Sequence, residues 1–135
     1  MNACVKYEIG TREADTEETM AEPLYFALDL KDDAALIERY KAWHAPGQVP
    51  AAINRSIREA GIAALEIFLV GNRMVMALTP GPDFDAAKKA AADAADPDVQ
   101  AWETLMWDFQ QALPFAQPGE KWLPMQRIYA LSDQP

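Results

Sequence analysis

The segment IAALEIFLVGNRMVMAL, residues 62–78, contains the clearest structural pattern in this sequence of 135 residues. Apolar side chains alternate through residues 62–70 and again through 73–78, and this alternation is typical of strands that bury one face. Gly71 and Asn72 separate the two runs, and both residue types favour tight turns, although the preferred hairpin order is Asn-Gly. The segment therefore predicts two antiparallel strands joined by a short turn.

Strands and helices are predicted on both sides of this hairpin. Residues 23–30 are short, aromatic and nearly all apolar, which predicts a strand. Helices are predicted after the cap residues Asp32 and Asp33, for residues 50–60, for Phe84–Ala95 and for residues 97–113, and a last strand within Leu123–Leu131. The resulting order predicts an α+β protein, a ferredoxin-like antiparallel sheet with helices on one face.

The predicted chain has a tail and one domain. Residues 1–22 are rich in acidic side chains and poor in apolar periodicity, so we expect a flexible tail, with a short edge strand around Val5 and Tyr7 as the alternative. Residues 23–135 are expected to form a single ferredoxin-like domain. Because helices on one face leave the other face bare, we expect a second copy to cover it and form a dimeric α/β barrel.

Composition argues against several classes of partner and site. The net charge is −9 and the basic residues are scattered, which disfavours nucleic acid and anionic membranes. No apolar run approaches the length of a membrane span, and the first residues are too acidic for a signal peptide, so a cytoplasmic location is expected. One cysteine, Cys4, and one histidine, His44, exclude an intramolecular disulfide and the familiar zinc spacings.

The only histidine is the first candidate for proton transfer. Tyr40 precedes His44 by about one helical turn, so the two side chains should share a face of the helix, and histidine titrates near neutral pH. On the later helix, Trp102 belongs to an apolar stripe, with Glu103 and Gln110 on its flank. An indole beside a carboxylate suits a sugar ring and its hydroxyl groups. The alternative is that all of these residues are ordinary core or surface positions.

Several short motifs together resemble the L-rhamnose mutarotase family. They are Tyr40-x-x-x-His44-x-Pro46, Gly71-Asn72-Arg73, Trp102-Glu103-x-x-Met106-Trp107 and Pro118-Gly119-Glu120-Lys121-Trp122. The similarity covers residues 24–132 and is closest to the branch associated with L-fucose. It implies a ferredoxin-like dimeric barrel and a cofactor-independent enzyme that interconverts the α and β anomers of a deoxysugar such as L-fucose or L-rhamnose.

The resemblance also implies roles for individual residues. His44 corresponds to the acid/base residue of the family, Tyr40 to a tyrosine that binds substrate, and Trp102 to a tryptophan that packs on the sugar. The chemistry of mutarotation adds Glu103 as a second proton carrier or a ligand for hydroxyl groups. Mutarotation moves protons between two sugar oxygens and needs no metal, so neither a cofactor nor a metal is expected.

Several positions depart from the family pattern. The segment Pro50-Ala51-Ala52 stands where the family usually has Trp-Pro-Glu, and Leu65 stands where the rhamnose branch has a tyrosine that binds substrate. Gln126 replaces a glutamate that is frequent in the last strand. The catalytic histidine is therefore retained while part of the surrounding substrate shell is changed, which predicts an altered substrate or a weakened activity.

Two other classes of protein share these features. A non-catalytic dimer that binds a sugar or metabolite would keep the fold and the aromatic residues but give no rate enhancement. Haem proteins and small oxygenases also use dimeric ferredoxin-like barrels, and His44 would then be an axial ligand. The loop residues Glu120 and Lys121 are interpreted as ordinary polar loop positions.

Overall fold

The structure is a computed structural model that describes residues 22–135. In chain order its elements are β1 (Leu24–Leu30), α1 (Ala34–Trp43), α2 (Ala51–Glu59), β2 (Ile62–Val70), β3 (Arg73–Pro80), α3 (Ala86–Ala95), α4 (Pro97–Trp107), β4 (Gln110–Gln111) and β5 (Leu123–Pro124), followed by a 3-10 turn at Leu131–Asp133. The tail predicted for residues 1–22, with its alternative strand at Val5 and Tyr7, lies outside the described residues apart from its last residue.

The sheet confirms the predicted α+β architecture. Its strands are antiparallel in the order β2-β3-β1-β4, and β5 pairs with the same edge of β1 as β4. The predicted hairpin is present, with Val70 opposite Arg73 and Gly71 at a positive φ of 59° in the turn. β1 therefore lies inside the sheet, between β3 and the two short strands.

Local sequence explains where the helices begin. Asp33 caps α1 by accepting a hydrogen bond from the backbone N–H of Leu36 at 3.0 Å, and Asp85 and Asp96 cap α3 and α4 in the same way. The turn after α2 needs glycine, because Gly61 has a φ of +87°. Capping thus confirms the predicted helix starts to within about two residues.

Helix α4 is shorter than predicted. The apolar stripe indicated a helix to Leu113, but α4 ends at Trp107 and the chain then forms β4. The backbone carbonyl of Phe109 accepts a hydrogen bond from the N–H of Lys31 at 2.8 Å, and Gln110 pairs with Leu30. The edge of β1 thereby obtains backbone partners that a continued helix would not supply. Pro114 also disfavours helical geometry at the residue before it.

The last strand is also shorter than predicted. Only Leu123–Pro124 is strand within the predicted range of residues 123–131, and the backbone N–H of Met125 still donates to the carbonyl of Tyr25 at 2.8 Å. Because β5 runs antiparallel to β1, each further residue moves toward the beginning of β1 at Leu24. β1 begins at that residue, so the residues after β5 find no further backbone groups of β1 with which to form strand hydrogen bonds.

The two faces of the sheet differ sharply. The core lies on the helix-facing side and includes Phe26, Leu28, Leu30, Met74, Met76, Leu78, Tyr40, Met106 and Phe109. On the opposite face Tyr25, Phe68, Val70 and Met125 are 47%, 55%, 77% and 50% exposed. The predicted arrangement of helices on one face is therefore confirmed, and the other face exposes several large apolar side chains. Within the described residues no helix is long and apolar enough to span a membrane.

A pair of leucine substitutions tests this division. Leu28 is fully buried at the centre of β1, whereas Leu131 is 73% exposed near the C-terminus. Leu28→Ala should lower the free energy of unfolding by about 2–5 kcal/mol, because it leaves a cavity in the core. Leu131→Ala should change it by less than about 0.5 kcal/mol. Urea unfolding followed by circular dichroism measures both, and equal effects of the two variants would contradict this placement of the core.

Candidate active site

The four residues singled out in the sequence surround one cavity. It has a volume of about 520 Å³ and lies between the helix-facing side of β2 and β3 and the helices α1, α2 and α4. Tyr40, His44, Trp102 and Glu103 all line it. Tyr40 and His44 come from α1 and its C-terminal cap, and Trp102 and Glu103 come from α4, which is distant in the sequence. The fold therefore brings together two pairs of residues that the sequence analysis considered separately.

His44 is the residue that caps the C-terminal end of helix α1, and its ring bonds to a backbone carbonyl of the last turn. Its Nδ1 lies 2.7 Å from the backbone carbonyl oxygen of Tyr40. A carbonyl oxygen can only accept a hydrogen bond, so Nδ1 carries the proton and Nε2 carries the lone pair in the neutral ring. Burial lowers the pKa of His44 from its ordinary value of 6.5, and the hydrogen bond to Tyr40 opposes that shift only in part. The imidazole is therefore a neutral base at pH 7.

Tyr40 is a buried neighbour of this base. Its ring centroid lies 4.3 Å from that of His44 and 5.9 Å from that of Phe109. Its hydroxyl oxygen accepts a hydrogen bond from Nε2 of Gln110 at 3.1 Å. Burial raises the pKa of Tyr40 to about 12, in spite of the opposing hydrogen bond from Gln110. The hydroxyl therefore keeps its proton at neutral pH and is able to donate it in a hydrogen bond.

Trp102 reaches the same region from α4. Its ring meets His44 edge-on with a centroid distance of 5.6 Å, and Trp43 at 5.8 Å in a T-shaped contact. Such edge contacts are a favoured arrangement of aromatic rings. Because two rings of α1 hold Trp102, its orientation relative to His44 is set by the packing of α1 against α4.

Glu103 is paired with a lysine that the sequence interpretation placed in an ordinary polar loop. Nζ of Lys121 contacts the carboxylate of Glu103 and also donates to its backbone carbonyl at 3.1 Å. The ammonium group lies 4.8 Å from the ring centroid of Trp107, over its face. The Lys121 side chain is only 9% exposed. Lys121 does lie in the loop between β4 and β5, but its interpretation as an ordinary polar position was wrong, because it is buried and paired. The tryptophan that follows it, Trp122, was the available signal in the sequence.

The rest of the cavity lining is largely apolar and includes polar side chains from α2 and α3. Its apolar side chains include Ile53, Ile57, Leu65, Ile67, Met76, Val99 and Met106. Lys89 and Asp93 of α3 form an ion pair of 2.8 Å along the lining. Of the positions that depart from the family pattern, Leu65 lines the cavity, whereas Pro50, Ala51 and Ala52 are not among its lining residues. Among residues 22–135, no group of three or more His, Cys, Asp or Glu side chains is placed to hold a metal ion.

Comparison with known sequences identifies relatives over nearly all of the described chain. The family model for L-rhamnose mutarotase matches residues 24–131. A protein of Xanthomonas campestris pv. campestris named L-fucose mutarotase is 56% identical over 110 residues, which are 82% of this chain and 88% of that protein. A UPF0734 protein of Dictyostelium discoideum is 36% identical over 109 residues, covering 78% of this chain and 86% of the relative.

A solved structure supports the fold. The crystal structure of an L-rhamnose mutarotase from Formosa agariphila superposes with a TM-score of 0.57 at 19% sequence identity. The superposition covers 82% of this chain and 98% of the other. At this identity the likeness concerns the fold alone, and it agrees with the antiparallel sheet and the helices described above.

The single histidine allows a direct test of the site. Nuclear magnetic resonance of protein labelled with ¹⁵N gives one imidazole, that of His44, without assignment of other histidines. The neutral ring should carry its proton on Nδ1, because Nδ1 donates to the Tyr40 carbonyl. Its pKa should lie below 6.5, because burial disfavours the charged ring. A neutral ring protonated on Nε2, or a pKa at or above 6.5, would contradict this geometry.

Proposed function

Because the chain belongs to the L-rhamnose mutarotase family and is a sugar mutarotase, we propose that it interconverts the α and β anomers of a 6-deoxysugar, with L-fucose as the preferred substrate. The name of the relative at 56% identity supports L-fucose. The cavity supports a deoxysugar, because its lining combines apolar side chains, which suit the C6 methyl group, with polar side chains that offer contacts to hydroxyl groups.

Anomer exchange requires two proton movements. The hydroxyl proton on the anomeric oxygen O1 must leave, and the ring oxygen O5 must gain a proton as the C1–O5 bond breaks. The open-chain aldehyde then rotates, and O5 attacks the other face of C1 with the reverse proton movements. A group that takes and returns a proton near pH 7 contributes about 10² to 10⁴-fold to the rate of such a step.

We assign the role of this group to His44. The observation that carries the assignment is the hydrogen bond from Nδ1 to the Tyr40 carbonyl, which makes Nε2 the basic nitrogen of a neutral ring. In this scheme Nε2 takes the O1 proton and the imidazolium protonates O5. The lowered pKa of His44 favours return of the proton, because the charged ring is the less stable form in this environment.

Three further residues are proposed to hold the sugar. Tyr40, which keeps its proton at neutral pH, donates a hydrogen bond to O1 or O5. Trp102 offers an indole surface to the C–H groups of the pyranose. Glu103 accepts hydrogen bonds from hydroxyl groups, and its ion pair with Lys121 supports this role over that of a second proton carrier, because the carboxylate already has a cationic partner.

We also propose that the protein is a homodimer in the cytoplasm. The open sheet face carries exposed Tyr25, Phe68 and Val70 at its surface, and Met125, which directly follows β5 and bonds to the backbone of Tyr25, extends the apolar area. Large apolar side chains exposed together on one face of a sheet often mark a surface where protein chains associate. A second copy placed on this face would complete the dimeric α/β barrel that the sequence resemblance implies.

Substitution of His44 tests the catalytic assignment. His44→Ala should lower the rate of L-fucose anomer exchange by about 10² to 10⁴-fold, because the proton carrier is lost. Saturation-transfer nuclear magnetic resonance measures this rate, with L-rhamnose and D-glucose as comparison sugars. Lys41→Ala, an exposed change in the same turn of α1, is the matched control and should retain the rate. Unchanged exchange in His44→Ala would remove the assignment.

The pH profile of the wild-type protein provides a second readout. The rate should fall on the acid side as His44 becomes protonated, and the midpoint should lie below pH 6.5 because burial lowers the pKa of His44. The same midpoint should appear in the titration of the His44 ring. Binding of L-fucose without any rate enhancement would instead support the non-catalytic sugar-binding alternative.

Charge placed on the open sheet face tests the dimer. Phe68 is 55% exposed on β2, and Phe115 is 70% exposed in the loop after β4. Phe68→Asp should convert the dimer to a monomer, because it buries an unpaired carboxylate at the interface, whereas Phe115→Asp should leave the dimer intact. Sedimentation velocity at micromolar concentration distinguishes the two outcomes. A monomeric wild-type protein would contradict the proposed dimer.

A further inference from the structure

Gln110 is a buried polar residue that the scheme above does not use. It is 4% exposed and belongs to the two-residue strand β4, where its backbone pairs with Leu30 of β1. Its side chain lies on the helix-facing side of the sheet and lines the same cavity as His44 and Tyr40. Phe109, which precedes it in the chain, and Met106, which lines the same cavity, both belong to the apolar core.

The amide nitrogen of Gln110 has a defined partner. Nε2 donates to the hydroxyl oxygen of Tyr40 at 3.1 Å. An amide N–H can only donate, so the Tyr40 oxygen accepts and the hydroxyl proton must be directed to another acceptor. Gln110 thereby fixes Tyr40 as a donor, which is the role that a contact with O1 or O5 of the sugar requires.

The amide oxygen of Gln110 has no such partner. Within residues 22–135, Oε1 is buried and makes no hydrogen bond. Buried polar side-chain atoms in proteins are nearly always paired, and a role at a functional site is one recognised explanation for an exception. Since Gln110 lines the cavity, a hydroxyl group of a bound sugar is a suitable donor for this oxygen. A sugar hydroxyl is able to donate to Oε1 and accept from another group at the same time.

We propose that Gln110 positions Tyr40 and selects the substrate, by donating from Nε2 to the Tyr40 hydroxyl and accepting at Oε1 from one sugar hydroxyl. This inference rests on the proposed function, because it takes a deoxysugar as the ligand. It predicts discrimination against analogues that lack the hydroxyl bound by Oε1. A site built to pair with a substrate hydroxyl rejects the analogue without it, since the buried protein atom is then left unpaired.

The first arm of the test uses the wild-type protein with L-fucose and its 2-, 3- and 4-deoxy analogues. Saturation-transfer nuclear magnetic resonance gives kcat and KM for each sugar, and binding is followed in parallel by tryptophan fluorescence. One analogue should lose at least about tenfold more in kcat/KM than the others. Equal losses for all three analogues would overturn the selection role without any need for a variant.

The second arm compares Gln110→Met with Gln111→Met. The methionine at 110 has similar length but cannot pair with Tyr40 or the sugar, whereas Gln111 is exposed on the opposite face of the sheet. Gln110→Met should lower kcat/KM for L-fucose by about tenfold or more and abolish the discrimination found in the first arm. Gln111→Met should retain both. A folded Gln110→Met protein with unchanged discrimination would overturn the proposal.

A double-mutant cycle with Tyr40→Phe tests the positioning role. Because Gln110 acts partly through the Tyr40 hydroxyl, the change at 110 should have a smaller effect on kcat when Tyr40 is already phenylalanine. Full additivity would overturn this part of the proposal. Gln110→Glu keeps an acceptor for the sugar but removes the donor to Tyr40, so it should retain the analogue discrimination while lowering kcat. If Gln110→Met does not fold, Gln110→Glu provides the test of the proposal in its place.

The outcomes separate this inference from the proposed function. If wild-type protein accelerates L-fucose exchange but neither arm singles out Gln110, the inference fails and the function stands. If wild-type protein binds L-fucose without accelerating exchange, the function fails, and the fluorescence titrations of Gln110→Met and the deoxy analogues still decide the selection role. If it neither binds nor converts any sugar of the panel, both proposals are overturned.

Discussion

Burial of the helix-facing side of β1 is the constraint on which the position of the site depends. β1 lies inside the sheet, and its residues Leu28 and Leu30 are 0% and 1% exposed. Helices α1 and α4 must cover these side chains, and Tyr40 and Met106 belong to the same core. The packing that removes this apolar surface from water therefore also places the aromatic residues of the two helices around one cavity.

The basic nitrogen of the site belongs to a residue at the C-terminal end of a helix, His44 at the end of α1. The last carbonyl groups of an α-helix lack partners within the helix. At the end of α1 the backbone N–H of His44 bonds to Lys41, and its ring Nδ1 bonds to the carbonyl of Tyr40. The hydrogen bond from Nδ1 thus gives a carbonyl group at the end of the helix a partner, and it also fixes the tautomer and the orientation of the imidazole. Gln110 also has both a structural role and a role in the site. Its backbone pairs with Leu30 in the sheet, and its side chain donates a hydrogen bond to the Tyr40 hydroxyl.

Most of the fold was predictable from the sequence, because strands and helices differ in the period of their buried side chains. The bounds of β2 were predicted to the residue, and the cap Asp33 was predicted from residue type. The end of α4 was not predicted correctly. Phe109 and Leu113 are buried, as the apolar stripe of a helix would require, but both lie beyond the end of α4. Side-chain burial alone does not distinguish a helix from an irregular segment with the same inward positions.

The sequence by itself determined the α+β class, the order of its elements and the pairing of Tyr40 with His44 on one helix, because these depend on local periodicity and short spacing. Only the tertiary structure decided that Lys121 is buried against Glu103 and that Gln110 reaches Tyr40. Polar residues in a sequence are usually solvated, and nothing local marks the exceptions. Their partners are brought to them by strand pairing and helix packing over long separations, so their roles follow from the fold as a whole.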